Sequence, residues 1–327
     1  MVQYLGVAKE TTFRTFVSPT HWFNIRTESL KPEKEPLLEE TVAYRTPTIV
    51  GEPPYKVTGD VEMVVEPRYF GILLEACLGS VTTSEDNDTS PVAYKHEFVP
   101  ATTLPSLSLE VGVENPDMTK QVFGVGVTSI EIEATAGELV TATVSFLGSG
   151  MQVGSSLSTP TFSDVSPFAF HKGEVRIGGT TVGYVESITV SIENDIADDA
   201  FVIGKAYLPE LVVGGLTVSG SMDIWFKDTT EMNRFLSGST SGTALDESVP
   251  ETSLELIFTG ESTGSTVAGF EDYTLKIEIP QLVYTAYEMG IDRREKKVQS
   301  IDFRGVGWDT ETGKPIKVTL INTQNTP

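Results

Sequence analysis

The sequence predicts a mainly β fold: two tandem, similar β-sandwich or barrel domains, each flanked by a short α-helix. Three observations carry this. Apolar and polar residues alternate at the period of two expected of half-buried strands in many short segments. A glycine-led strand, Val57-Thr58-Gly59-Asp60-Val61-Glu62-Met63, returns as Val218-Ser219-Gly220-Ser221-Met222-Asp223-Ile224. Between the halves, GSGMQVGSSLSTPTFSDVSP, from residue 148, has the Gly, Ser and Pro content of a linker. The expected division is a first β domain with an N-terminal arm at 1–150, a linker at 151–170, and a second β domain with a C-terminal arm at 171–327.

Each element follows in order. The first copy opens weakly, with Phe23 and Ile25 as its best strand residues, and a polar excursion then runs from about 27 to 54. Its prolines argue against a central strand, and an excursion of that length usually has a function in a compact domain. After the glycine strand, Pro67 suits the first position of a helix. Phe70, Leu73, Leu74, Cys77 and Leu78 make its apolar face, and Gly79 stops it. Ser106-Leu107-Ser108-Leu109-Glu110 is the next strand. It precedes a strand expected to place Phe123, Val125 and Val127 on one face. The last, at 141–146, carries Val140, Ala142, Val144 and Phe146 on one side and only hydroxyls on the other.

The second copy repeats this order. A pair at 173–177 and 181–184 turns tightly at Gly178-Gly179. A second polar excursion is expected from about 190 to 215, with Glu193, Asn194 and Asp195 in it. Asp228 and Glu231 form a capping box for a helix with a Met232, Phe235 and Leu236 stripe, stopped by Gly238. Strands follow at 253–257, at Tyr273, Leu275, Ile277 and Ile279, and at 298–303, with a short run at 317–320. The offset is 161 residues from Gly59 to Gly220, 147 from Ser106 to Ser253 and 157 from Gly148 to Gly305. Constant order with varying offset is the mark of a diverged internal repeat.

Composition narrows the function classes. The chain has 46 acidic and 23 basic residues, a formal charge of -23. The excess is spread evenly: 21 against 10 in residues 1–150 leaves 25 against 13 in 151–327. No basic patch of the kind that holds nucleic acid is present. A single cysteine, Cys77, excludes an intrachain disulfide. The N-terminal residues lack the charge and apolar order of a secretion signal, and no apolar run reaches the ~20 residues of a membrane span.

The residues do not assemble a recognisable chemistry. His21, His96 and His171 are dispersed, and no zinc spacing, phosphate loop or nucleophile elbow appears. Gly124-Val125-Gly126 belongs to a strand. Glu131 with Glu133, Asp86-Asn87-Asp88, and Asp195 with Asp198 and Asp199 read as acidic surface, without calcium-loop spacing. No enzyme activity and no cofactor are expected.

The run 53–80, with its glycine strand and helix, and the run from Phe123 to Gly148 resemble the tail tube (major tail) proteins of long-tailed bacteriophages. Gly220, Trp225, Phe235, Tyr273, Phe303 and Gly305 repeat the pattern. The resemblance implies a structural virion protein, made in the host cytoplasm and not inserted in a membrane. Its rings would have a continuous β-barrel as inner wall, and would stack through a long loop and terminal arms. A negative lumen would hold a tape-measure protein and then pass double-stranded DNA without specific binding; tail completion proteins are further partners. Two copies per chain imply trimeric rings with pseudo-sixfold symmetry. The position of the stacking loop falls on Lys31, Glu33, Lys34, Glu35, Leu37 and Leu38, and on Glu193, Asn194 and Asp195. Tube-wall strands would carry Val57, Val61, Phe123, Val125, Val127, Val140, Val144, Phe146, Met222, Ile224, Leu275, Ile277 and Phe303. Alternatives are a tube or shell component of a related injection machine, a carbohydrate-binding β-sandwich, whose exposed aromatics would have to come from Trp22, Trp225 and Trp308, and a glycosidase with a cryptic acidic pair.

Overall fold

In the computed structural model the described residues are 3–47, 49–86, 92–114, 117–154, 156–247, 249, 251–290, 296–307 and 314–327; Asn87, Asp88 and Trp308 lie outside them. The chain is predominantly β with two short helices. The first half contains β1 (Tyr4–Lys9), β2 (His21–Phe23), β3 (Ile25–Glu28), β4 (Lys31–Lys34), β5 (Leu37–Glu39), β6 (Ile49–Gly51), β7 (Tyr55–Val64) and α1 (Gly71–Leu78). It continues with β8 (Gly79–Glu85), β9 (Tyr94–Pro100), β10 (Leu107–Val113), β11 (Met118–Thr135) and β12 (Thr141–Gly154). The second half contains β13 (Gly173–Ile177), β14 (Thr180–Thr181), β15 (Val185–Ile196), β16 (Val213–Trp225) and α2 (Thr230–Ser237). After it come β17 (Glu251–Ser262), β18 (Asp272–Met289), β19 (Val298–Gly305) and β20 (Lys317–Asn322).

Strand pairing follows one order twice. In the first half it is β1–β10–β11–β12–β7, with β3 and β4 flanking β7. In the second it is β13–β17–β18–β19–β16, with β15 flanking β16. Strand β1, unforeseen from the sequence, therefore holds the place of β13. The halves do not stand apart as two sandwiches. They are stitched by β11 to β15 and by β9 to β20 into one 18-stranded sheet, with β5 and β6 as a separate hairpin. The expected barrel does not close: β3–β4 at one end pair only with β7, the segment Ala286–Met289 of β18 at the other pairs only with β19, and among the described residues no further strand lies along their outer sides. The linker is also more ordered than its composition implies. β12 runs through its first residues, and Phe168 is buried against Phe258 with its N–H on Val65 O at 3.1 Å.

The two helices solve different problems. In α1 every residue but Glu75 is buried, so the single apolar face read from the sequence extends round the helix. It begins at Gly71, four residues after Pro67, and ends at Gly79 with φ 89°. α2 is a half-buried surface helix. Asp228 accepts a hydrogen bond from Thr230 N–H at 2.9 Å, yet Glu231 does not close the capping box. It turns inward, where Tyr284 Oη donates to its carboxylate at 2.5 Å and Arg234 Nε at 3.0 Å. Burial beside that carboxylate drives the Tyr284 phenol well above its usual pKa, so it stays a donor.

The C-terminal strand is secured by His96, which is fully buried. Its Nε2–H is shared between Asn322 Oδ1 at 3.1 Å and Gln324 O at 3.0 Å, while Nδ1 accepts from Thr83 Oγ1 at 2.8 Å. Burial holds its pKa below the ordinary value. Among the described residues, no helix is long and apolar enough to cross a membrane.

Two outcomes are expected. Tyr284→Phe removes a donor from a buried carboxylate and lowers unfolding free energy by about 1.5–3 kcal/mol in urea denaturation. For His96 the folded pKa lies below the unfolded one, so its contribution is complete above about pH 6.5 and is lost as pH falls toward the folded value. The urea midpoint should therefore drop more between pH 7.5 and 5.5 in the native chain than in His96→Gln; parallel losses would contradict the assignment.

Candidate functional site: an acidic face shared by both halves

One sheet surface spans both halves in the order β3/β4–β7–β12–β11–β15–β16–β19–β18. Its cross-strand rows are continuous. On the inner side Val61, Val144, Ile130, Ile192 and Val218 are aligned, as are Met63, Ala142, Ile132 and Val190. All are buried. The pleat turns the intervening residues outward. One outward row runs Glu62, Thr143, Glu131, Ser191, Ser219, Arg304. The next runs Val64, Thr141, Glu133, Thr189, Ser221, Asp302, Ala286. Another joins Ser187, Asp223, Ser300 and Glu288. The face is thus mostly hydroxyls and carboxylates, with Val64 and Ala286 at its ends; its cations include Arg304, Lys31 opposite Thr58, and Arg26 paired to Glu62 at 3.0 Å.

The wall-strand candidates named from the sequence sit on the opposite, apolar side. Val57, Val61, Val125, Val127, Val140, Val144, Phe146, Met222, Ile224, Leu275, Ile277 and Phe303 are all buried. Phe123 departs from the expectation. Gly124, at φ 63°, inserts an irregularity that moves Val122 into line with the core and leaves Phe123 on the other side, with the Arg14 guanidinium 5.5 Å from its ring.

The two excursions occupy equivalent places, each between a strand and the glycine strand it pairs with, but their structures differ. In the first, Lys31, Glu33 and Lys34 lie in β4, paired with β7 despite Pro32, because the proline sits on an edge strand. Glu35 leads into the β5–β6 hairpin, where Leu37, Leu38, Val42, Tyr44 and Val50 are exposed. In the second, the expected irregular stretch from 190 is corrected. Glu193, Asn194 and Asp195 belong to β15, and only 197–212 is a loop. That loop folds back on the first half. Tyr55 N–H bonds Ala206 O at 2.8 Å, Ser149 Oγ bonds Leu208 O at 2.5 Å, and the Arg14 guanidinium lies 3.4 Å from the Tyr207 ring centroid.

Asn194 has a bridging task that its type alone does not reveal. Its Nδ2 donates to Cys77 O at 2.8 Å and Val127 O at 3.2 Å, tying α1 to the β11–β15 seam. The adjacent Cys77 thiol is buried and its pKa is pushed up to about 12, which keeps it protonated and inert. Of the tryptophans a carbohydrate platform would need, Trp22 is buried, and Trp225 stacks on Tyr184 beside Lys227 and Lys296. Among the described residues no group of three metal-ligating side chains comes together.

A search of curated proteins finds no match. A family model described as phage tail tube protein matches residues 2–305 of the 327. With the mainly β fold and the acidic sheet face already in place, that match over nearly the whole length shows that the chain belongs to the phage tail tube protein family, the structural proteins of the phage tail.

Proposed function

We propose that this chain is two diverged copies of one tube domain and forms stacked rings whose lumen is the acidic sheet face. The observation that carries this reading is the outward surface rich in carboxylates and hydroxyls that runs across both halves. It lies on a sheet whose two ends, among the described residues, have no further strand beside them. Each chain contributes two equivalent sets of wall strands, which supports trimeric rings with pseudo-sixfold symmetry. At ~4.8 Å between strands and ~40° of tilt, about 24 strands close at roughly 50 Å across the backbone, room for a DNA duplex between the side chains.

The electrostatics suit passage. A basic wall would trap the duplex, with an affinity that grows with each phosphate contact. An acidic wall repels it over a screening length of ~8 Å at physiological ionic strength, and so favours the axis without creating local wells. Before ejection the same lumen would hold the tape-measure protein, with completion proteins at the tube ends; synthesis would occur in the host cytoplasm.

Stacking falls to the projecting β5–β6 hairpin, with Leu37 and Leu38 and the strand β4 residues Lys31, Glu33, Lys34 and Glu35 at its base. Large apolar side chains exposed together on a two-stranded arm mark a contact surface. Glu193, Asn194 and Asp195 take part through the seam between the copies, with the 197–212 loop above them.

Negative-stain microscopy of the purified chain should show hollow rings or tubes; a monodisperse monomer at high concentration would refute the reading. Replacing residues 36–51 by a short Gly-Ser turn should leave the circular dichroism of the folded sheet in place while rings sediment singly. Normal tubes from this variant would remove the hairpin from stacking.

A further inference from the structure

We infer that the seam between neighbouring subunits copies the seam inside the chain: the C-terminal half of β18 pairs antiparallel with the free edge of β3–β4 of a second copy, in the register Tyr287 opposite Pro32, Glu288 opposite Lys31 and Met289 opposite Leu30. The inference rests on the tube reading above and specifies which strands close the ring.

The register comes from two ladders that recur. β11 and β18 carry the same irregularity against their β12 and β19 partners: Val127↔Phe146 then Ser129↔Ser145, and Tyr284↔Phe303 then Ala286↔Asp302. Ile130 is thereby equivalent to Tyr287, and Glu131 to Glu288. On the other edge, Ile25↔Met63 then Thr27↔Glu62 matches Val185↔Ile224 then Ser187↔Asp223. Pro32 opposite Val57 matches Ile192 opposite Val218, so Lys31 is equivalent to Ser191 and Leu30 to Val190. Within the chain the seam pairs Ile130 with Ile192, Glu131 with Ser191 and Ile132 with Val190. Transferring those pairs gives the interchain register without adjustment.

Burial agrees. Ile130, Ile132 and Ile192 are completely covered, whereas Tyr287 and Met289 are half-buried and Pro32 is exposed. The difference is what a missing neighbouring strand produces. Charge agrees as well: the position that opposes Glu131 with a serine inside the chain opposes Glu288 with Lys31 between chains, and opposite charges on facing strands attract. The lone edge is guarded. Ser29 N–H turns inward to Asp60 O at 3.0 Å, so the alternation leaves position 32 facing out, where proline has no N–H to offer. Lys120 Nζ lies 3.4 Å from Leu30 O and pairs with Glu28 at 2.8 Å. Proline and lysine are the usual protections against promiscuous strand addition. Docking replaces the Lys120 contact at Leu30 and forgoes one hydrogen bond at Pro32.

The test is a cysteine pair, Lys31→Cys with Glu288→Cys, in the full chain; the native Cys77 is buried. Both positions are surface residues on strands that the substitutions leave intact. The equivalent intrachain pair, Glu131→Cys with Ser191→Cys, is the positive control, and oxidation there should give a monomer. Oxidised under assembly conditions, the 31/288 pair should give a ladder of linked chains on a non-reducing gel, absent from either single variant. As an independent measurement, Lys31→Glu should raise the concentration needed for assembly roughly tenfold, and adding Glu288→Lys should restore it. Well-formed tubes without interchain disulfide would overturn the register and leave the tube reading standing. A 31/288 disulfide within one monomer would overturn the seam. A chain that never assembles would overturn both.

Discussion

Pairing of β11 with β15 is the interaction on which the rest of this molecule depends. A β-strand with an open side carries a row of unsatisfied N–H and C=O groups, and seven consecutive register pairs from Ser129↔Glu193 to Thr135↔Ser187 satisfy that row between the two halves. The same pairing aligns the apolar rows of both halves into one core and their polar rows into one face. Had the halves closed separately, no surface would run across them. The acidic face is thus a consequence of backbone hydrogen bonding, and its composition determines what it repels.

Supporting contacts gather around this seam. Asn194 fastens it to α1, and the 197–212 loop covers its upper end through Leu208, packed with Leu147 and Ile196 in a small second core. The β9–β20 pairing clamps the halves again on the far side. In the second half Glu231 accepts from both Tyr284 and Arg234, and His96 of β9 bonds the C-terminal strand through Asn322 and Gln324.

The two halves differ most where their surroundings differ. Gly59 and Gly220 hold matching positions at which a side chain would enter the neighbouring strand: at Gly59, where φ is 151°, it would come within 2.7 Å of the Leu30 backbone. The edges are unlike. β15 presents Ile192 and Ser191 to a partner that is always present, whereas β4 presents Pro32 and Lys31 to solvent. β12 is one long strand, and its counterpart is split into β19 and β20.

Local pattern made much of this legible. Alternation located most of the strands, the Gly79 and Gly238 stops located both helix ends, and the repeated glycine strand disclosed the internal order. The lack of any basic patch or ligand cluster pointed to a structural role. The sequence also determined which residues are apolar enough to form a core, since that depends on each residue and its period. What it left open was which strand lies beside which, because hydrogen-bond partners more than 50 residues apart leave no local trace. For that reason β1 has no signature in the sequence, the pattern alone puts Phe123 on the core side of a bulge, the spacing of Glu231 from Asp228 suggests a cap, and Glu193–Asp195 look like loop. The outward acidic face and the two open edges were decided only by the tertiary structure, because a face exists once strands from both halves share one register.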